Sequence, residues 1–352
     1  LGAMALELCD GLREAGHEAR MINLATDPHP ERGVFVFFNA PVTLDAFPRA
    51  LWDGGGGLRA VQVFVDHPFA LPAATIDDWA ERGRRAGVGG EGLGNLRVCL
   101  PCADDVHLLR MRWPGLVHAW MGHGIPGSVV SEQEIRDAFA LMSSRVQGMV
   151  KEIVAVMVAD AGVGYLQALD LVMGSRSVIT GEWATAQAFW RVCVAMTNRI
   201  RRMRAVQSLQ GLKVGVFGSE AWREVCTGTV RYAGSLEYGA IAGAFARGRV
   251  GLAWGPTQFV HSYSERIMLA MAAGCAAVSD DRLLVRRDFP GLCGLYDAGR
   301  PESAREACER LLADPAGSIA MAGRGRAWVG ERCLWRHRAG VLLEEAGVLA
   351  AV

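Results

Sequence analysis

Ser262, Glu265, Arg266 and Gly274 mark out a segment whose chemistry is that of anion binding. Ser262 and Glu265 have the S-x-x-E spacing of a capping box, which predicts a helix over 262–273. Gly274 stands where a left-handed residue closes such a helix. The apolar run before it reads as a strand. The helix start therefore turns its free amides and positive dipole toward whatever occupies the connecting loop, typically a phosphate. Arg266 adds a full charge in the first turn. That is an electrostatically poor place for a cation with no ligand, and the misfit favours a functional reading. Together these parts suit a diphosphate held without a metal. Glu265 has two readings of equal standing, a capping residue that needs no ligand and a ligand contact. His261 and Ser262, in the loop before the helix, are candidates to reach phosphate oxygens.

A second set of reactive types lies in the first half. Asp66 and His67 follow an apolar run over 59–65, and an adjacent acid and imidazole at a strand end can take a proton from a hydroxyl. Neighbours on an extended chain point opposite ways, so one of the two faces any ligand. An Asx-type turn before Pro68 explains the same residues without chemistry. His123, between Gly122 and Gly124, has comparable standing as an acid–base candidate. Cys99 and Cys102 form a C-x-x-C, but no second pair completes a zinc site, and the nine cysteines show no paired spacing of a disulfide framework. They read as buried or strand-end thiols.

The elements that must position these residues alternate. Strands are expected at 19–24, 33–38, 59–65, 96–100 and 116–120, with helices at 44–52, 76–85 and 104–112. Such alternation implies a parallel sheet covered on both faces, with ligands gathering beyond the strand carboxyl ends. From 131 to 211 the pattern is helical, and 150–173 is apolar almost all round, as for a buried or interdomain helix. A second alternating unit starts with a strand at 213–217. Ser303 and Glu306 repeat the capping spacing, and Asp314-Pro315 opens the next helix. The chain begins inside an amphipathic helix with Gly16 as its stop and no strand before it, so the expectation is that the sequence lacks its true N-terminus.

The chain has 352 residues, 51% of them apolar and 21% charged, with Lys+Arg and Asp+Glu at 37 each. That is room for two cores and gives no basic surplus for a nucleic acid. The arginines at 199, 201, 202 and 204 spread around a helix axis and read as a solvated face. The longest apolar stretch falls far short of the about 20 residues that cross a bilayer. No secretory signal is visible, so the expected compartment is the cytoplasm.

Several segments in order and spacing resemble CgeB-like glycosyltransferases of the family 1/4-like superfamily. They are Ser264-Glu265-Arg266 through Ala272-Ala273-Gly274-Cys275, then Val278-Ser279-Asp280, Leu295-Tyr296-Asp297, Leu311-Leu312-Ala313-Asp314-Pro315 and Gly323-Arg324-Gly325-Arg326. The stretch 198–222 is similar to that family's entry into its second domain. The resemblance implies an α/β GT-B fold, two Rossmann-like domains facing across a cleft with a helical insert between them. It implies an acceptor domain over 1–190 and a donor domain over 191–352, whose last helix crosses back. The expected co-substrate is a nucleotide-diphosphate sugar, the acceptor a protein or glycan, with no cofactor and no metal.

By the same resemblance Gly218 and Ser219 form the first loop of the donor domain, although a plain tight turn explains the glycine equally. Trp222 packs beside the sugar or serves as a hydrophobic lid, and Tyr238 lines the nucleotide pocket. Two positions depart from the family. Leu269 stands where relatives place a glutamate that grips ribose hydroxyls, and Trp254 stands where an asparagine is frequent. Two other functions stay open, a nucleotide-sugar epimerase of the same fold and a non-catalytic nucleotide-sugar-binding protein.

Overall fold

Short Val-, Phe- and Leu-rich runs separated by long connections make parallel strands, because parallel neighbours need a crossover of a dozen residues or more. The computed structural model describes residues 2–21, 32–38, 57–63, 96–100, 118–120, 132–174 and 183–345. The chain divides into two compact units. One is Leu1–Val129 with Val178–Gln187 and Arg332–Val352; the other is Val130–Ser177 with Ala188–Glu331.

In the first unit, helix α1 (Gly2–Glu14) buries Leu8 and Cys9 and ends before Gly16, whose φ of 87° is left-handed. Strands β1 (Arg32–Phe38), β2 (Gly57–Val63), β3 (Leu96–Leu100) and β4 (His118–Trp120) follow. They pair in parallel in the order β1-β2-β3-β4, with Val36 opposite Val61, Val63 opposite Cys99 and Leu100 opposite Trp120. The strand expected at 19–24 is corrected over its described part, because residues 19–21 carry no strand. Arg13 Nε donates to the Ala19 carbonyl at 2.9 Å, turning the chain back on the end of α1. The helices expected at 44–52, 76–85 and 104–112 lie outside the described residues.

The second unit opens with helices α2 (Glu132–Ala140), α3 (Ser144–Ala159), α4 (Tyr165–Met173) and α5 (Trp183–Ser208), whose first turn belongs to the other unit. The apolar stretch 150–173 is not one enclosed helix. Asp160 ends α3 in extended conformation and its carboxylate accepts the Gly162 amide at 2.7 Å. Helix α3 buries only Val150, Ile153, Val154, Met157 and Val158, one amphipathic stripe, and leaves Lys151 and Glu152 exposed. The helical segment Val130–Ser177 falls within the second unit.

Strands β5 (Val214–Phe217) and β6 (Val230–Gly234) pair in parallel, followed by helix α6 (Ile241–Ala246). Strand β7 (Val250–Ala253), helix α7 (Glu265–Ala272), strand β8 (Ala276–Asp280), helix α8 (Leu283–Asp288) and strand β9 (Gly294–Tyr296) make a second parallel sheet in the order β7-β8-β9. Helices α9 (Glu302–Ala313), α10 (Pro315–Arg332) and α11 (Trp335–Glu345) close the chain. One core joins both sheets: Val206 and Leu209, Val216 and Val230, Val278 and Tyr296, and Ala304, Ala307 and Cys308 of α9.

Two helix starts illustrate local chemistry. Pro315 takes the first position of α10, and Asp314 before it accepts the Gly317 amide at 2.9 Å. Ser303, expected to cap α9, lies inside it; its hydroxyl donates to the Arg300 carbonyl and accepts the Asp297 amide.

Helix α11 returns to α1 within the first unit. Trp335 Nε1 donates to Glu7 Oε2 at 2.6 Å, and Arg336 pairs with Glu14 at 3.4 Å. A Cβ on Gly11 would come within 2.7 Å of the Arg336 nitrogen, a backbone atom that cannot swing aside. Gly11→Val should therefore part the two helices and lower the melting temperature of the protein, read by differential scanning calorimetry. A melting temperature equal to wild type contradicts the contact.

Candidate functional site

The loop between β7 and α7 is held by buried charge. Arg282 and Asp280 pair at 2.6 Å with side chains 1% and 2% exposed. The Arg282 guanidinium also donates to the carbonyls of Gly255 (2.7 Å), Pro256 (2.9 Å) and Phe259, while Asp280 accepts the Gly255 amide at 2.7 Å. Asn198 of α5 accepts the Thr257 amide at 2.9 Å. Such a pair is tolerable out of water because every arm of the fork has an acceptor. Gly255 is required here for space, since a Cβ would sit 2.6 Å from the Arg282 guanidinium carbon.

That loop delivers the start of α7, and the start differs from the expectation. The helix begins at Glu265 after Ser264 in extended conformation, not at Ser262, so the capping box does not form. The carbonyl of His261 accepts the Leu284 amide at 2.9 Å, and Tyr263 packs edge-on against Phe289 while its hydroxyl donates to Asp288. These contacts keep 261–263 out of the helix. Ser264 makes no capping bond with its side chain. The amides of the first turn are left without a side-chain acceptor from the cap. The far end follows expectation: Gly274 has φ 74°, and the amides of Gly274 and Cys275 close on Met271 and Ala270.

Glu265 thus occupies the first helical position, 9% exposed, with neither carboxylate oxygen bonded. Burial pushes its carboxyl above the ordinary range, outweighing the adjacent Arg266 and its own amide, which pull the other way. Arg266 is half-buried beside it.

The arginine run on α5 is corrected in part. Arg201 is buried and donates to the carbonyls of Met157 and, at 2.8 Å, Asp160. It supplies a cation and donors where the last turn of α3 leaves carbonyls open. Arg202 is half-buried, and its enclosed Nε has no partner. Burial, followed by repulsion from Arg266, lowers the Arg202 guanidinium to about 10, with Tyr296 and Asp280 opposing. Only Arg199, which reaches Glu224 at 3.9 Å, and Arg204 remain toward solvent.

Gly218 ends β5 at φ 154°, and a Cβ there would be 2.7 Å from the Trp222 ring. Trp222 lies on that glycine and against Trp254, ring centres 5.9 Å apart, so Trp254 has a packing role of its own. Ser219 is exposed and precedes the short 3-10 turn Glu220–Glu224; Tyr238 and His261 are half-buried and Ser262 is buried. His261, Ser262, Glu265 and Arg266 come together by adjacency at the head of α7. Asp66, His67 and His123 lie outside the described residues. Asn198, Arg202 and Arg282 were not singled out from the sequence as site residues. The one usable signal was the odd density of arginine on an otherwise apolar helix. Among the described residues no His, Cys, Asp and Glu cluster is arranged to hold a metal, and no helix is long and apolar enough to cross a membrane.

Residues 199–344 match the family model described as "Glycosyl transferase-like". The solved structure of a sucrose-phosphate synthase from Thermosynechococcus elongatus is similar to this chain at TM-score 0.41 and 12% identity, covering 83% of this chain and 68% of that one. No curated protein matches the chain.

Two outcomes follow. Arg282→Met leaves Asp280 buried and unpaired and should cost about 3–5 kcal/mol in denaturant unfolding; a loss under about 1 kcal/mol contradicts the clamp. For Glu265, the unfolded chain ionises at ordinary carboxylate pH while the native carboxyl resists, so its contribution to stability worsens as pH rises above that range. Glu265→Gln should raise the unliganded melting temperature at neutral pH and flatten its fall as the pH rises above the ordinary carboxylate range. Parallel curves for the two proteins contradict it.

Proposed function

We propose that this chain moves a glycosyl group from a nucleotide-diphosphate sugar to a hydroxyl of a protein or glycan, in a GT-B architecture similar to the CgeB-like group. The observation that carries this reading is the uncapped amino end of α7, bearing Arg266 beside a rigidly clamped loop within the glycosyltransferase-like span. In the reaction the bond from the anomeric carbon to the β-phosphate oxygen breaks while the acceptor oxygen bonds to that carbon. Positive charge develops on the sugar ring and negative charge on the leaving diphosphate. Arg266 and the free amides at the start of α7 are the fixed donors that meet the developing negative charge, acting without a metal. The acceptor proton passes to a base, for which Asp66, His67 and His123 are the candidates. Gly218 lets backbone approach the donor closely, with Ser219, Trp222, Tyr238, His261 and Ser262 around it.

Thermal-shift measurement with a panel of nucleoside diphosphates and their sugars tests this. A ligand of the folded form at about 100 times its dissociation constant adds roughly 2.7 kcal/mol. One nucleotide series should stabilise the wild type. Arg266→Ala should abolish that shift and leave the unliganded melting point unchanged. Absence of stabilisation by every nucleotide, or a full shift in Arg266→Ala, sinks the reading.

A further inference from the structure

The turn that follows β5 is fixed at both ends and lightly held between them. Gly218 is pinned twice, its amide donating to the Gly234 carbonyl and its carbonyl accepting the Tyr232 hydroxyl, each at 3.0 Å. At the other end Val225 is buried in the core that joins the two sheets. Between these points Ser219, Glu220, Ala221, Arg223 and Glu224 are exposed, and Trp222 alone is half-buried. The backbone here is the 3-10 turn Glu220–Glu224, whose hydrogen bonds are poorer than those of an α-helix. Its ion pairs, Arg223 with Glu220 at 3.4 Å and Glu224 with Arg199 at 3.9 Å, stand in water and hold little. Arg223 adds an exposed cation–π contact, 4.8 Å from the centre of the Tyr232 ring. What draws the turn inward is the indole of Trp222.

The place of that indole gives the turn a consequence. Trp222, in the turn after β5, and Trp254, the residue after β7, have ring centres 5.9 Å apart, so the seam between the two sheets falls between these strands. From the seam, β5 leads to β6 in one sheet and β7 to β8 and β9 in the other. In open α/β sheets ligands enter the crevice outside the strand carboxyl ends at such a reversal. Trp222 also lies on Gly218, where a Cβ would be 2.7 Å from its ring. The space opened by the glycine is thus filled by the chain's own indole, and half-buried Trp254 is the surface that keeps it there. Resting on the reading under Proposed function, we infer that residues 219–224 form a lid over this crevice, latched by Trp222 on Trp254, and that an entering nucleotide sugar displaces the latch. Trp254 is then a positioning residue, acting through Trp222 on the fraction of protein that is open. A ligand that binds only the open form loses apparent affinity in proportion to the closed fraction. One aromatic contact at a partly wet surface is weak enough for binding to overcome.

Hydrogen exchange reads the latch without any ligand. The Trp222 amide donates to the Ser219 carbonyl, and the Val225 and Cys226 amides donate to the Trp222 carbonyl, so these three report opening of the turn. Trp254→Ala should speed their exchange about tenfold, while the amides of β5 and β6 keep their wild-type rates. If Trp254→Ala does not fold, Trp222→Leu removes the same contact from the side of the lid and should speed the Val225 and Cys226 amides alike. Titration with UDP, GDP, ADP and CDP then separates a latch from a ligand contact. The nucleotide that binds wild type should bind the unlatched variant more tightly, by up to the factor gained in exchange. Unchanged exchange overturns the lid, and so does faster exchange joined to weaker nucleotide binding, which makes the indoles ligand contacts. Faster exchange in a protein that binds none of the four nucleotides would count against the proposed function and leave the latch standing.

Discussion

The buried pairing of Arg282 with Asp280 sets the geometry on which the rest of the site depends. A loop of eleven residues between β7 and α7 (254–264) would otherwise be free to sample many paths. Three of its carbonyls and one amide are instead fixed from β8 and the residue two beyond it. Because β8 is the middle strand of its sheet, the loop inherits the rigidity of the sheet rather than that of the surface. The desolvation cost of such a pair is large, and only a fully satisfied fork offsets it. What the arrangement secures is position: α7 starts where the clamp ends, so its amides and Arg266 point from a defined place.

Charge in this unit is distributed by task. Arg282 organises backbone and Arg201 closes the carbonyl end of α3, and neither is available to a ligand. Arg266 and Arg202 have no such structural assignment. Glu265 opposes them from inside the helix start, raised by burial and costly at neutral pH. Stability given up at a site of this kind is characteristic of groups arranged for a ligand and not for the empty protein. On the proposed reading, donors that do not reorganise as a diphosphate departs are the useful ones, and the Arg282–Asp280 clamp would supply that stiffness.

Much of the fold was legible from periodicity alone. The runs at 33–38, 96–100 and 213–217 have the apolar, β-branched character of enclosed parallel strands, and they are strands. Gly274 and Asp314-Pro315 end and start helices by local backbone chemistry, which neighbouring residues suffice to determine. The errors fall where a tertiary contact overrides a local preference. Ser262 and Glu265 have capping-box spacing, yet Tyr263 is drawn to Phe289 and Asp288, and the helix starts later. The stretch 150–173 looks uniformly apolar, but Asp160 breaks it and Arg201 from elsewhere in the chain seals the break. Arg202 illustrates the harder case. In sequence it is one arginine among four, and only the enclosure of its Nε separates it from an exposed neighbour such as Arg204.

The central claim is that a diphosphate seats on the first turn of α7, and amide chemical shifts report on that turn directly. In a transverse-relaxation-optimised nitrogen–proton spectrum titrated with a nucleoside diphosphate, the backbone amides of Glu265 and Arg266 should shift saturably. Perturbations confined to other residues, with those two signals unmoved at saturation, would contradict the account.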